Sequence, residues 1–291
     1  MSLTLARLQQ LKRQAGGNAP ANESPRPSGP GIDELRRHLR RRVPVESTFV
    51  RAPSHDRAVP GEEIAPGLRL LETTLPFAPS SEWIDGRFDR REPLHASQLL
   101  FFDTETTGLA GGSGTRAFMI GAADWHGGAL RIRQLVLTAM SGEAAMLDAF
   151  RQWLRPEHVL VSYNGKCYDA PLLATRYRLS RMPNPLAELG HVDLLYPTRR
   201  RYRGRWENCR LATIERRALD VVREDDLPGS EAPAAWLSYL RGGSAHNLRR
   251  VLAHNDRDVA TLAQLLLHLS ELSVREADCP VPAEDGMAVP L

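Results

Sequence analysis

Residues 99–109 read LLFFDTETTGL, and this stretch decides the fold class. Leu99, Leu100, Phe101 and Phe102 form a short apolar run without alternation, the pattern of a strand buried on both faces. Asp103 and Glu105 follow at once, two positions apart. Residues i and i+2 of a strand point to the same side, so the strand ends with two carboxylates on one face. Like charges this close repel unless a cation lies between them. Thr106, Thr107 and Gly108 continue into a turn whose hydroxyls and N–H groups can hold a nucleotide, with Leu109 placed to pack against a base. The glycine-rich AGGSGT at 110–115 lacks the G-K-[ST] ending of a phosphate loop and reads as a hairpin loop.

Outward from this strand, residues 116–125 and 130–138 read as the next two strands of an antiparallel meander. Residues 143–154 carry apolar side chains at helical spacing (Ala144, Leu147, Phe150, Leu154), with Pro156 after them. Residues 158–164 are a further strand, and 169–179 a helix with Pro171 in its first turn. A short strand at 191–195 precedes helices around 211–219, 234–240 and a long one over 246–272. The order predicts an α/β fold, a mixed sheet flanked by helices.

Two distant segments carry further acids. SYNGKCYDAPLL (162–173) places Asp169 at a helix start, where the helix dipole favours a carboxylate. Asn164 and Lys166 beside it suit a substrate cleft. HNDRDVATLAQLL (254–266) places His254 and Asp258 four apart, on one helix face. A neutral imidazole there can take a proton from an attacking water. Asp256 lies about 200° around the helix from His254 and is set aside as a ligand. Asp103, Glu105, Asp169 and Asp258 thus supply hard oxygen donors from three segments, the donor type for two divalent ions, Mg²⁺ or Mn²⁺, in phosphodiester hydrolysis.

The 291 residues suffice for one large domain with an appendage, and 42% hydrophobic content supports a core. Net charge is only +3, so any argument for nucleic acid is local. Cys167, Cys209 and Cys279 have no metal-type spacing and point to reduced thiols in a cytoplasmic setting. No run of about 20 apolar residues predicts a membrane span. Residues 1–94 read as an N-terminal extension: a short amphipathic helix, a Gly/Pro/Asn/Ser linker over about 15–30, a basic helix over 33–42, and an irregular or small β-rich appendage over 43–97. The main domain is expected over 95–272 and a loose tail over 273–291.

The motifs D-x-E-T-T-G-L at 103–109, N-G-K-x-Y-D-x-P-L-L at 164–173 and H-N-x-x-D at 254–258 resemble the DEDD, or DnaQ-like, 3′–5′ exonuclease superfamily. Stretches such as 191–203 and 226–236 resemble more closely the YprB-type ribonuclease H-like family, over roughly residues 95–272. The resemblance implies a ribonuclease H-like fold, two metals held by Asp103, Glu105, Asp169 and Asp258, and His254 as general base. One departure stands out. In the histidine branch of these exonucleases the base precedes the last Asp by five residues. Here the gap is four, the spacing of the tyrosine branch.

The expected function is metal-dependent 3′–5′ exonuclease action on single-stranded DNA or RNA. The alternatives are a nucleic-acid-binding module of nuclease descent and a ribonuclease H-like endonuclease. Arg199, Arg200, Arg201, Arg203 and Arg205 around Tyr202 and Trp206 can track a single-stranded backbone. Asp193 is expected near the site as a supporting group. The sequence names no protein partner; the N-terminal extension is a segment that one could engage.

Overall fold

The computed structural model describes residues 55–108, 114–223 and 227–278. The linker and the two helices expected before residue 43, together with Leu109 and Cys279, lie outside them.

Nine strands are described: β1 Glu62–Ala65, β2 Leu68–Leu75, β3 Trp83–Ile84, β4 Leu94–His95, β5 Leu99–Thr106, β6 Ala117–His126, β7 Ala129–Leu137, β8 Val159–Ser162 and β9 Gly190–Asp193. The helices, numbered in chain order, are α1 Glu143–Trp153, α2 Asp169–Leu179, α3 Leu195–Tyr202, α4 Leu211–Ala218, α5 Ala232–Leu240 and α6 His246–Asp278. Seven strands form one sheet in the order β1-β2-β7-β6-β5-β8-β9, and β3 and β4 form a small hairpin sheet. Pairing is antiparallel from β1 through β5, then parallel for β5–β8 and β8–β9. The fold is a ribonuclease H-like mixed sheet with helices on both faces.

The apolar run behaves as its pattern dictates. Leu100 and Phe102 enter one core with Phe150, Leu147 and Tyr177 from α1 and α2. Leu99 and Phe101 enter the other with Val259, Leu262 and Leu266 from α6. All four are fully buried, each contributing about 2 kcal/mol of hydrophobic stabilisation. β5 is therefore fixed from both faces, and its acids are held at a rigid strand end.

Two expectations about organisation are corrected. Residues 62–75 are β-rich, one of the two readings of this segment, but they are no appendage: β2 pairs with β7 along its whole length, from Leu68↔Leu137 to Leu75↔Leu130. The sheet therefore crosses the boundary expected near residue 95, because β7 offers β2 an edge that no local pattern announces. Residues 273–278 continue α6 rather than starting a loose tail. Arg199, Arg200 and Arg201 lie on α3, whose Leu195, Thr198 and Tyr202 turn one buried face inward, while Arg203 and Arg205 follow it.

One glycine sets how closely α6 approaches the sheet. Gly121 on β6 lies opposite Asp103 of β5 and opposite Gln134 of β7. A Cβ there would stand 2.1 Å from Asn255 Oδ1. Asn255 sits over this bare spot, accepting from Gln134 Nε2 at 2.9 Å and donating through Nδ2 to Asp103 Oδ2 at 3.0 Å. Gly121→Ala is expected to push α6 away, destabilising the protein by about 1–3 kcal/mol. Urea denaturation of the variant measures this, and a value within error of wild type would contradict the packing account.

Candidate active site

The site is built on the C-terminal end of β5. A cavity of about 410 Å³ on one side is lined by Asp103, Thr104, Tyr163, Asn164, Tyr168 and Asp169, among others. A second cleft of about 440 Å³ is lined by Asp103, Glu105, Thr107, His254 and Asp258, among others. Asp103, Thr104, Thr106 and Gly108 belong to both, so the strand end is a shared wall. Three distant segments thus bring their acids to one place, as the motifs require.

Three of the acids are held by named partners: Asp103 by Asn255, Asp169 by Thr104 and Asp258 by Arg223. Asp169 opens α2, and the Thr104 hydroxyl donates to its Oδ1. The turn before it is held by Asp193, which accepts from the backbone N–H groups of Asn164 at 2.7 Å and Lys166 at 3.1 Å. Asp193 is therefore a support for the cleft, as expected. Asn164 adopts positive φ in this turn, a conformation that Asn tolerates better than most residues. Lys166 is exposed and does not line either cleft. Asp256, set aside on geometric grounds, faces away and accepts from Thr73 Oγ1 at 3.0 Å.

The electrostatics fit a site shaped for cations. Burial, then the charges of Asp169, Asp258 and Glu105, push the Asp103 carboxyl well above the usual range. Burial pushes Asp169 up to about 6, against the Thr104 hydrogen bond that lowers it. Burial also raises Asp258, while His254 and Arg223 pull it down. The donors are hard oxygens whose mutual repulsion a divalent cation would relieve, so the residues fit Mg²⁺ or Mn²⁺ in chemistry. Among the described residues, however, no three His, Cys, Asp or Glu side chains are set to enclose an ion. At Asp258 the positive charge comes instead from Arg223.

Arg223 is the main feature that sequence reasoning missed. Its Nε and Nη2 each reach Glu215 at 2.6 Å, and Nη2 also donates to Asp258 Oδ1. Glu215 is 1% exposed and also accepts from Thr261 Oγ1 at 2.5 Å. Burial works against the Arg223 charge, but its bonds to Glu215 and the field of Asp258 raise its pKa. Nη1 lies 3.1 Å from His254 Nδ1. A guanidinium only donates, so Nδ1 accepts, and a neutral His254 then carries its proton on Nε2, 3.5 Å from Asp258 Oδ2. In this arrangement the imidazole lone pair is engaged by Arg223.

The turn after β5 is ordered by its own hydroxyls. Thr106 Oγ1 donates to Gly108 O at 3.1 Å, and Thr107 Oγ1 accepts from Arg116 N at 3.0 Å. Thr104, Asn255, Tyr163 and Tyr168 also join the site without having been singled out. A pointer to Asn255 was its position beside His254 in H-N-x-x-D. Tyr168, 58% exposed at the rim, sits directly before Asp169.

A model of the RNase_H superfamily matches residues 100–270. The chain is 34% identical over 194 residues to the uncharacterized protein YprB of Bacillus subtilis (strain 168), over 66% of this chain and 47% of that protein. It therefore spans about half the length of that relative. Among solved structures, the family B DNA polymerase of the hyperthermophilic archaeon Pyrobaculum calidifontis is similar at TM-score 0.45 and 16% identity, covering 58% of this chain and 24% of that one. The zinc-bound E. coli ExoI–ssDNA complex is similar at TM-score 0.37 and 14% identity, covering 63% of this chain and 46% of that one. With the matched region running from the apolar strand through the long C-terminal helix, the chain belongs to the RNase_H superfamily, as a YprB-type ribonuclease H-like domain.

Proposed function

We propose that this protein is a metal-dependent nuclease, acting as a 3′–5′ exonuclease on single-stranded DNA or RNA. The observation that carries the reading is the convergence of Asp103, Glu105, Asp169 and Asp258 on the two clefts at the end of β5. These four would hold two divalent ions. The chemistry such ions supply when bound is stabilisation of the attacking and leaving oxygens of a phosphodiester.

The chain's own groups do the rest. Water attacks phosphorus, the bond from phosphorus to the 3′ oxygen breaks, and the leaving 3′ oxygen takes a proton from solvent, giving a 5′-phosphate on the released nucleotide and a 3′ hydroxyl on the shortened strand. His254 accepts the water proton at Nδ1, which requires Arg223 to turn from that nitrogen when substrate is seated. The hydroxyls and backbone of Thr106, Thr107 and Gly108, with Leu109 beyond them, hold the terminal nucleotide. The faces of Tyr163 and Tyr168 offer stacking to the bases beside Asn164. Lys166, exposed two residues after Asn164 though outside both clefts, would meet a phosphate as the strand approaches.

A nucleic-acid-binding module without turnover would have no use for four mutually repelling acids beside a histidine, so the enzyme reading is preferred. The exonuclease and endonuclease readings differ in their need for a free end. With Mg²⁺ or Mn²⁺, 5′-labelled single-stranded substrate is expected to shorten stepwise from the 3′ end. A 3′-terminal block should stop the reaction on both DNA and RNA. Unchanged cleavage of blocked substrate would transfer the assignment to internal cutting.

A further inference from the structure

The five arginines that cluster in sequence separate in space. Arg200 donates to Phe88 O at 2.8 Å and pairs with Asp89 at 3.3 Å, and Arg201 pairs with Glu276. Those two hold α3 in place. Arg199 and Arg203 instead line a groove of about 720 Å³ together with Arg210, Trp206 and Asn208. These three arginines are exposed and have no acidic partner among the described residues. The acid in the groove wall, Glu207, is already paired with Arg216 and with Arg217 at 3.6 Å. Asn208 spends its carbonyl oxygen on Arg210 N at 2.9 Å and Thr213 Oγ1 at 2.8 Å, which leaves its NH₂ as a donor. Trp206 is half-buried and stacked on Tyr202, with ring centroids 4.3 Å apart, so its indole is fixed in orientation.

The groove adjoins the acid-lined cavity. Tyr163 lines that cavity and donates from its hydroxyl to Cys209 O, in the groove wall, at 2.6 Å. Unneutralised guanidinium groups, an amide donor and an oriented indole match a flexible polyanion carrying flat bases. We propose that this groove is a second binding site, which holds the phosphates of single-stranded nucleic acid several nucleotides away from the bond being cut. The proposal rests on the nuclease reading for the polarity of the strand, but its binding claim stands apart from turnover.

The test uses the full chain in chelator, so that nothing is cut. Binding of labelled single strands of about 3 and about 20 nucleotides is compared between wild type and the variant Arg199→Gln, Arg203→Gln, Arg210→Gln. All three side chains are exposed, and matching thermal melts confirm the fold. The variant is expected to bind the long strand at least about tenfold more weakly, with a log–log salt slope flatter by about 2, near 0.7 per lost phosphate contact. The short strand should bind both proteins alike. Long-strand affinity within threefold of wild type, or equal losses for both lengths, would overturn the groove. The two claims fail separately. A wild type that cuts while the variant binds normally loses only the groove, and one that binds through the groove but never cuts loses only the nuclease reading.

Discussion

Asp103→Asn is expected to abolish the proposed turnover and to make the metal-free protein more stable. Both effects come from one cause. Asp103 lies among Asp169, Asp258 and Glu105, and burial adds to their repulsion. Neutral Asn keeps the shape, and its carbonyl can still accept from Asn255 Nδ2. The loss in rate should be at least about 10³-fold, the equivalent of about 4 kcal/mol of transition-state stabilisation. The gain in stability has a pH signature. A carboxyl whose pKa is raised by folding costs nothing below the ordinary value of 3.8 and progressively destabilises the fold as pH rises above it. The variant should therefore melt with wild type near the acid end and above it at neutral pH. Saturating Mg²⁺ should narrow the gap by stabilising wild type. A variant less stable than wild type at neutral pH without metal would contradict the electrostatic description.

Arg223→Gln should cost stability and sensitise the protein to metal. The guanidinium neutralises Glu215, which is 1% exposed, and also serves Asp258. Removing one partner of such a buried arrangement costs about 3–5 kcal/mol, because a charge is left uncompensated. For a chain of this size that lowers the melting temperature by roughly 10 °C. A divalent ion at Asp258 restores part of the lost neutralisation, and in the variant it displaces no cation. The metal-induced rise in melting temperature should therefore be larger for Arg223→Gln than for wild type. Equal rises would show that Arg223 and the ion do not compete at Asp258.

The legible parts of the fold are those written in local pattern. The Leu99–Phe102 run, the meander behind it and the long helix from His246 depend on local sequence pattern alone, and each element forms where its pattern lies. The pairing of β2 with β7 joins residues more than fifty positions apart, from Leu75↔Leu130 onward, and depends on an edge that exists only in the folded sheet. α3 was obscured by its arginines, although Leu195, Thr198 and Tyr202 already carried helical spacing.

The acids of the site were legible because two like charges at the end of an apolar strand need a reason. Their restraints were less so. Asn255 becomes meaningful only once Gly121 is known to lie beneath it. Arg223 stands in no motif, and its role depends on α4 delivering the buried Glu215 beside Asp258.

The claim that Asp103, Glu105, Asp169 and Asp258 hold divalent cations is tested most directly by calorimetric titration of Mn²⁺ into wild type and Asp103→Asn without substrate. The account predicts saturable binding to wild type, approaching two ions per chain, and weaker binding or a lost ion in the variant. Identical isotherms for the two proteins, or no binding by wild type, would contradict it.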